Sequence, residues 1–222
     1  MKPMDDMLSL VFLVTFLAGL AAMASWKNGG LLRANSRLLR NVDQSDWTLR
    51  QFLNLNLSRP KAKERFLFSE ESVVSVGYRY NGRLDGAILH WEGVPILDAI
   101  IERKFPTRSI PDKAKPEDVF QAGLYALALM EKGVSCSSTL LAIVYCLQDD
   151  ARKCLDRNEV SCLGCDNSRV FQKKFKPKPI IKQLQKFDDY WYRDGKPRPT
   201  PEPSKCNACP NGKNGTCNYS VA

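Results

Sequence analysis

Short apolar runs separated by turn residues dominate the chain after residue 65 and predict an α/β fold. Asn81-Gly82 is typical of a hairpin turn, and Glu92-Gly93 indicates a second turn. The runs between such signals have the length and composition of strands. The predicted strands cover residues 66–68, 73–80, 83–89, 95–104, 139–146 and 169–175.

Two longer segments are typical of helices. One begins at Pro116, runs to about Lys132 and stops at Gly133, a residue that favours helix C-termini. The other, residues 180–193, is amphipathic. A short helix with its N-cap at Ser45-Asp46 is also predicted. The order of strands and helices predicts an α/β core in which helices flank a mixed sheet.

An uncharged apolar run from Met7 to Ser25 precedes this core. Its length approaches the roughly 20 residues with which a helix spans a bilayer. A membrane anchor is favoured over a signal peptide, since Lys2 is offset by two aspartates, and over a buried core helix, since the apolar residues surround the helix. Four basic residues then follow, which by the positive-inside rule predicts that the remaining chain is cytoplasmic, at the inner face of the cell membrane. They are Lys27, Arg33, Arg37 and Arg40.

The 222 residues carry a formal charge of +9, which suits a polyanionic partner such as DNA or simply reflects a basic proteome. The length is sufficient for one well-packed core with a small appended subdomain. Positive charge concentrates before the last cysteines, and we predict that this basic arm contacts nucleic acid. Its central residues are Lys173, Lys174, Lys176 and Lys178.

Candidate chemistry lies at the end of the predicted strand 95–104. Glu102 and Lys104 are two residues apart and therefore share one face, which the aspartate Asp85 of the preceding strand can also reach. Two carboxylates with a lysine suit Mg²⁺ or Mn²⁺ plus a phosphate group. Solvated charges at a strand end are the alternative interpretation. Asp98 shares the parity of Glu102 but lies about 13 Å away, too far to share one ion.

Gln121 and Tyr125 are four residues apart on the predicted helix and therefore point together. In this order, Asp85, Glu102-x-Lys104 and Gln121-x-x-x-Tyr125 resemble the RecB-like branch of the PD-(D/E)XK nucleases. The runs 100–106 and 121–129 are most similar to the CRISPR-associated exonuclease family Cas four. The resemblance extends from about Phe66 to the C-terminus.

This resemblance implies a PD-(D/E)XK restriction-endonuclease-like core and a Mg/Mn-dependent exonuclease acting on DNA with single-stranded ends. It implies a role in CRISPR spacer acquisition, with adaptation proteins as partners, or in DNA repair. Asp85 and Glu102 would hold the metal, and Lys104 would act in catalysis. Gln121 and Tyr125 would orient the nucleic-acid strand or the site itself. A histidine usually lies upstream of the aspartate in this family, whereas His90 lies downstream and is interpreted as a turn residue.

All eight cysteines lie at or after Cys136, and two C-x-x-C pairs favour metal binding over disulfides. Cys206, Cys209 and Cys217 match the C-terminal trio that holds an iron–sulfur (4Fe-4S) cluster in the resembled family, with Zn²⁺ as the second choice. Such a cluster takes four thiolates. The missing ligand is sought in the insertion at about 148–168, where Cys162 and Cys165 are the main candidates and a separate zinc is the alternative.

The predicted organisation has four parts, and no P-loop motif for an ATP-driven motor is present. The second functional interpretation is a non-catalytic nucleic-acid-binding module that carries a cluster or zinc and a vestigial nuclease site. The four parts are the anchor helix 1–26, a basic connector with a short helix 27–65, the nuclease core 66–195, and a proline tether with the cysteine cluster 196–222.

Overall fold

The computed structural model describes residues 16, 42–54, 64–154, 159–196 and 199–221. Eight strands lie in this part of the chain: β1 (Val42–Gln44), β2 (Arg65–Ser69), β3 (Ser72–Ser75), β4 (Tyr80–Arg83), β5 (Gly86–Trp91), β6 (Pro95–Lys104), β7 (Leu140–Cys146) and β8 (Ser168–Lys174). The helices are α1 (Leu49–Leu53), α2 (Pro116–Glu131), α3 (Gln148–Ala151), α4 (Glu159–Cys162), α5 (Pro177–Tyr192), α6 (Pro203–Ala208) and α7 (Pro210–Lys213), with a 3₁₀ turn at Arg152–Cys154.

Six strands form one mixed sheet in the order β1-β2-β5-β6-β7-β8, and β3 pairs with β4 in a separate hairpin. β5 pairs antiparallel with β6, whereas β6 and β7 are parallel and are joined by the crossover helix α2. The predicted α/β architecture with a mixed sheet flanked by helices is therefore confirmed. The central strands are almost continuously apolar, as expected when helices cover both faces.

Helix α2 covers one face of the sheet. It starts at a proline with Glu117 and Asp118 in its first turn and ends where Gly133 adopts φ +85°, so its start and stop signals are confirmed. Ala122, Ala126 and Leu129 are fully buried. At Gly123 a Cβ would lie 2.6 Å from Ile180, so glycine permits the close approach of the start of α5.

The insertion between β7 and β8 covers the opposite face. Leu163, just beyond α4, joins Ile88, Ile101 and Val144 in one buried apolar cluster, against which Cys162 packs. Side chains alternate along a strand, so Ile101 and Arg103 face the insertion while Glu102 and Lys104 face α2. The C-terminal end of β6 therefore packs between α2 on one face and the insertion on the other.

Several local predictions were wrong. Asn81-Gly82 belongs to strand β4, and the hairpin turn lies at residues 76–79. The N-cap of α1 is Thr48, whose hydroxyl accepts from the backbone N–H of Gln51, and Ser45-Asp46 lies before it. In the predicted connector, the unpredicted strand β1 pairs in parallel with β2. Of these three, only β1 depends on a distant partner, because its pairing with β2 joins segments more than 20 residues apart.

By its internal contacts the chain divides into two compact units, one up to Ile180 and the other from Ile181 onward. Apart from Phe16, the apolar run Met7–Ser25 lies outside the described residues, so the anchor prediction is not addressed there. Within the described ranges, the helices are too short or too polar to cross a membrane.

Candidate active site

Asp85 and Glu102 meet at the junction of β5 and β6. Asp85 lies in the break just before β5, not within a strand as predicted, and its carboxylate accepts a 2.6 Å hydrogen bond from the backbone N–H of Arg103. Because Arg103 directly follows Glu102, this bond fixes Asp85 beside the Glu102 carboxylate. The two acidic residues predicted as metal ligands are therefore neighbours.

The Glu102 carboxylate is buried, with only 2% of its side chain exposed. Its Oε1 lies 2.7 Å from the Lys104 ammonium, whereas its Oε2 is buried without a hydrogen-bond partner. Burial raises the pKa of Glu102 to about 7 against the opposing effect of Lys104, and the nearby Asp85 and Asp118 raise it further. A buried acceptor without a partner, surrounded by other carboxylates, is suited to an added cation.

Lys104 connects the strand end to helix α2. Its Nζ donates to the Gln121 side-chain oxygen at 2.8 Å and lies 3.7 Å from the Asp118 carboxylate. Burial alone would lower the pKa of Lys104, but the hydrogen bond and charge of Glu102, together with Asp118 and Asp85, raise it. The lysine is therefore a fixed cation inside an acidic cluster.

Gln121 and Tyr125 continue this hydrogen-bond chain, as their helical spacing predicted. The Gln121 amide donates to the Tyr125 hydroxyl at 2.9 Å while its oxygen accepts from Lys104. Burial raises the pKa of Tyr125, so the ring stays neutral as a hydrogen-bonding group. The five residues of the sequence prediction thus form one connected group, Asp85 joining it through the backbone of Arg103.

Sequence reasoning missed two further members, Asp118 and Tyr145. Asp118 is buried in the first turn of α2, where its sequence position fits equally well a favourable charge at a helix N-terminus. The Tyr145 hydroxyl donates a very short hydrogen bond to Asp118 and accepts one from the backbone N–H of Lys115. The shared parity of Tyr145 with the buried Ile143 on β7 was the one signal available from sequence, and it does not distinguish a site residue from a core residue.

His90 is not a turn residue, contrary to the prediction. It lies in β5, is 9% exposed, and its Nδ1 is 2.7 Å from the Asp98 carboxylate, which also accepts a hydrogen bond from Arg65. Asp98 is therefore engaged in its own ion-pair group, apart from the Glu102 site.

The predicted basic arm lies near the end of the first compact unit, which also contains the candidate active site. Lys173, Lys174 and Lys176 line a groove of about 360 Å³ whose other walls include Val119 and Leu141, and all three lysines are exposed. Lys178 is exposed at the start of α5. Val119 directly follows Asp118, so the groove begins beside the first turn of α2.

The C-terminal cysteines lie in the second unit, in and around two short helices. Cys206 is in α6, Cys209 separates α6 from α7, and Cys217 donates its backbone N–H to Asn211 at 3.1 Å. Backbone hydrogen bonding from Val221, with Glu202 next, lowers the pKa of Cys206. A lowered pKa favours the thiolate, the form that binds iron or zinc.

In the described ranges, no group of three or more histidine, cysteine, aspartate and glutamate side chains is positioned to hold a metal ion. None of the described cysteines forms a disulfide.

No protein-family model matches the chain, and no curated protein matches it either.

The raised pKa of Glu102 predicts that protons compete with metal ions at this site. Its ordinary pKa of 4.5 is raised to about 7 in the folded protein. Below about pH 7 an ion must displace a proton, so the apparent affinity for Mn²⁺ should fall by up to about tenfold per pH unit. Titration calorimetry on either side of neutral pH measures this slope. An affinity that does not change with pH would contradict the prediction.

The same shift predicts how the metal-free protein responds to pH. Between pH 4.5 and about 7 the folded chain binds the Glu102 proton that the unfolded chain has released. Its free energy of unfolding should therefore decrease as the pH rises through this window. In a Glu102→Gln variant that component should be absent, which urea denaturation across the same range can establish.

Substitution of Gly82 on β4 provides a second test of the site. A Cβ at this position would lie 2.8 Å from the Tyr125 ring, so Gly82→Ala should displace the tyrosine and, through Gln121, disturb Lys104. If the site is catalytic, turnover should fall by roughly ten- to a hundredfold. The matched control is Asn81→Ala on the exposed face of the same strand. Equal activities in the two variants would show that the position of Tyr125 does not matter.

Proposed function

We propose that this protein is a metal-dependent nuclease that hydrolyses phosphodiester bonds of DNA, with Asp85, Glu102 and Lys104 at its active site. The observation that carries the proposal is the buried Glu102 oxygen without a partner, held beside a second carboxylate and a fixed lysine. The resemblance to the PD-(D/E)XK nucleases, and to the Cas-four family in particular, supports an exonuclease acting on single-stranded ends.

The donor set suits a hard divalent cation. Asp85 and Glu102 would hold Mg²⁺ or Mn²⁺, with the Arg103 carbonyl as a neutral ligand, because such ions prefer oxygen donors. When bound, the ion would supply positive charge that polarises a phosphate and lowers the pKa of a coordinated water. The raised pKa of Glu102 is consistent with a site whose negative charge is incompletely compensated by protein groups alone.

The chain's own residues then have separate roles. Lys104 offers its ammonium to the scissile phosphate or the attacking water. Glu102 at 2.7 Å and Gln121 at 2.8 Å hold it in place until a phosphate competes for it. Gln121 and Tyr125 orient Lys104 from α2. Asp118, tied to Tyr145, keeps the lysine protonated by its charge.

The lysines of the β8–α5 groove are proposed to bind the DNA backbone. An acidic cluster repels phosphates, and a row of exposed lysines beside it supplies the opposing attraction. Substituting Lys173, Lys174 and Lys176 together should weaken DNA binding and flatten its dependence on salt.

A non-catalytic DNA-binding module is the second candidate. The observation that favours it is the saturation of Lys104, whose ammonium contacts Glu102, Gln121 and Asp118 as in a structural ion-pair network. In that case the same residues would stabilise the strand end and the lysine groove alone would be functional.

The two candidates are separated by incubating the purified full chain with end-labelled single-stranded and duplex DNA, with Mg²⁺, Mn²⁺ or a chelator. The nuclease proposal predicts a progressive, metal-dependent shortening of the labelled DNA. DNA binding without shortening under every metal condition would support the second candidate. The iron–sulfur assignment for Cys206, Cys209 and Cys217 is tested apart from this by the iron and sulfide content of anaerobically purified protein.

A further inference from the structure

Four cysteines lie together on the insertion that follows strand β7 and on the end of that strand. Cys146 ends β7, Cys154 ends the 3₁₀ turn, Cys162 ends α4, and Cys165 lies between α4 and β8. Seven residues lie between Cys146 and Cys154, and seven more between Cys154 and Cys162. Two residues lie between Cys162 and Cys165. The C-terminal trio belongs to the other unit of the chain.

Ser168 contacts the backbone of two of these cysteines and is the strand partner of a third. In the antiparallel pairing of β7 with β8, Ser168 is the partner of Cys146. Its hydroxyl lies 2.7 Å from the carbonyl of Cys162 and 2.9 Å from that of Cys165, while its backbone N–H donates to Cys165 at 3.0 Å. One residue therefore connects the strand end to the turn containing the C-x-x-C pair.

The side chains also lie on one face of the sheet. Cys146 shares parity with Val144, and Val144 is in the apolar cluster against which Cys162 packs. Burial raises the pKa of Cys146, and the thiols of Cys165, Cys154 and Cys162 raise it further. The thiols of the other three cysteines are therefore all within electrostatic range of Cys146.

We propose that Cys146, Cys154, Cys162 and Cys165 form a tetrathiolate site for Zn²⁺. Four cysteines that include a C-x-x-C pair supply the complete ligand set of a structural zinc. Burial raises the pKa of Cys162, and the guanidinium of Arg103 opposes this rise and would compensate part of the negative charge of such a site. Binding requires the sulfurs to turn inward, because no described group is already positioned around an ion. Rotation about χ1 moves a cysteine sulfur by roughly 3 Å.

The site would also support the active-site strand from behind. Glu159 on α4 is buried, forms a 3.0 Å ion pair with Arg103 and accepts a 2.6 Å hydrogen bond from Ser69. Arg103 in turn donates its backbone N–H to Asp85. Zinc that fixes α4 therefore fixes Arg103, and through it one of the two carboxylates of the candidate active site.

The test uses Co²⁺ as a spectroscopic probe in the full chain. Cys206, Cys209 and Cys217 are first replaced by serine so that the second unit contributes no thiolate. We expect this variant to hold one Co²⁺ with the visible and charge-transfer absorption of a tetrahedral thiolate complex, which distinguishes it from Co²⁺ on carboxylate oxygens, and we expect Zn²⁺ to remove this absorption. Adding Cys162→Ser should remove the absorption. Adding Cys136→Ser, a buried cysteine outside the insertion, should leave it unchanged.

A second measurement on the unaltered chain guards against a variant that fails to fold. Alkylation of each cysteine is followed by peptide mass spectrometry with Zn²⁺ and after a chelator. Cys154 and Cys165 should react much faster once zinc is removed. Absence of thiolate absorption, its survival in Cys162→Ser, or alkylation rates at these two residues that do not respond to the chelator would each overturn the proposal. None of these outcomes depends on nuclease activity.

Discussion

Replacement of Glu102 by glutamine is expected to lower metal-dependent DNA cleavage by about a thousandfold. The amide keeps the shape of the side chain but removes the negative charge that would hold the cation. Asp85→Asn should have a comparable effect, because its carboxylate is the second proposed oxygen ligand and already accepts a hydrogen bond from the backbone beside Glu102. Cleavage rates at saturating Mg²⁺ and Mn²⁺ measure both effects.

The matched control is Asp98→Asn on the same strand, at the β-bulge that interrupts the pairing of β5 with β6. Asp98 is engaged with Arg65 and His90, so its substitution should affect stability but leave the intrinsic cleavage rate close to that of the parent chain. Circular dichroism establishes that each variant is folded. Normal metal-dependent cleavage by folded Asp85→Asn protein would show that the site assignment is wrong.

Lys104→Met is expected to reduce turnover by about a hundredfold while changing the metal dependence much less. Methionine preserves the length and the apolar contacts of the lysine stem but removes the ammonium. Loss of Lys104 should raise the pKa of Glu102 further, because the lysine lowers it in the parent chain. Turnover is therefore measured well above pH 7, where Glu102 is ionised in both proteins.

The control for Lys104 is Lys113→Met, which removes an exposed positive charge from the loop before α2. It should alter the salt dependence of DNA binding slightly and leave turnover intact. If Lys104→Met loses metal binding and turnover in equal proportion, the lysine acts by holding Glu102 in place and takes no part in the reaction. A fully active Lys104→Met would instead favour the non-catalytic DNA-binding module.

Strand β6 is the element on which these roles converge. Its α2-facing side carries Glu102 and Lys104, and its insertion-facing side carries Arg103. The alternation of a strand places the reactive groups and their support on opposite faces within three residues. A change in the insertion can therefore reach the candidate active site without touching any residue proposed to contact DNA.

Much of the central fold was predictable because its signals are local. The apolar composition of β6 and β7 and the proline start and glycine stop of α2 specify buried strands and a crossover helix. Strand parity and helical spacing then bring Glu102 together with Lys104 and Gln121 with Tyr125. These relations depend on the geometry of a single element, and the structure contains them as predicted.

Only the tertiary structure decided the contacts between distant elements. Asp118 and Tyr145 belong to the site because α2 packs against β7, and no spacing rule joins residues 27 positions apart. His90 became a buried strand residue because Asp98, on the neighbouring strand, offers its imidazole an acidic partner. Cys146 lies beside the insertion because the β-sheet register places it opposite Ser168. Sequence patterns specify which face a side chain takes within its own element, whereas packing between elements determines what that face meets.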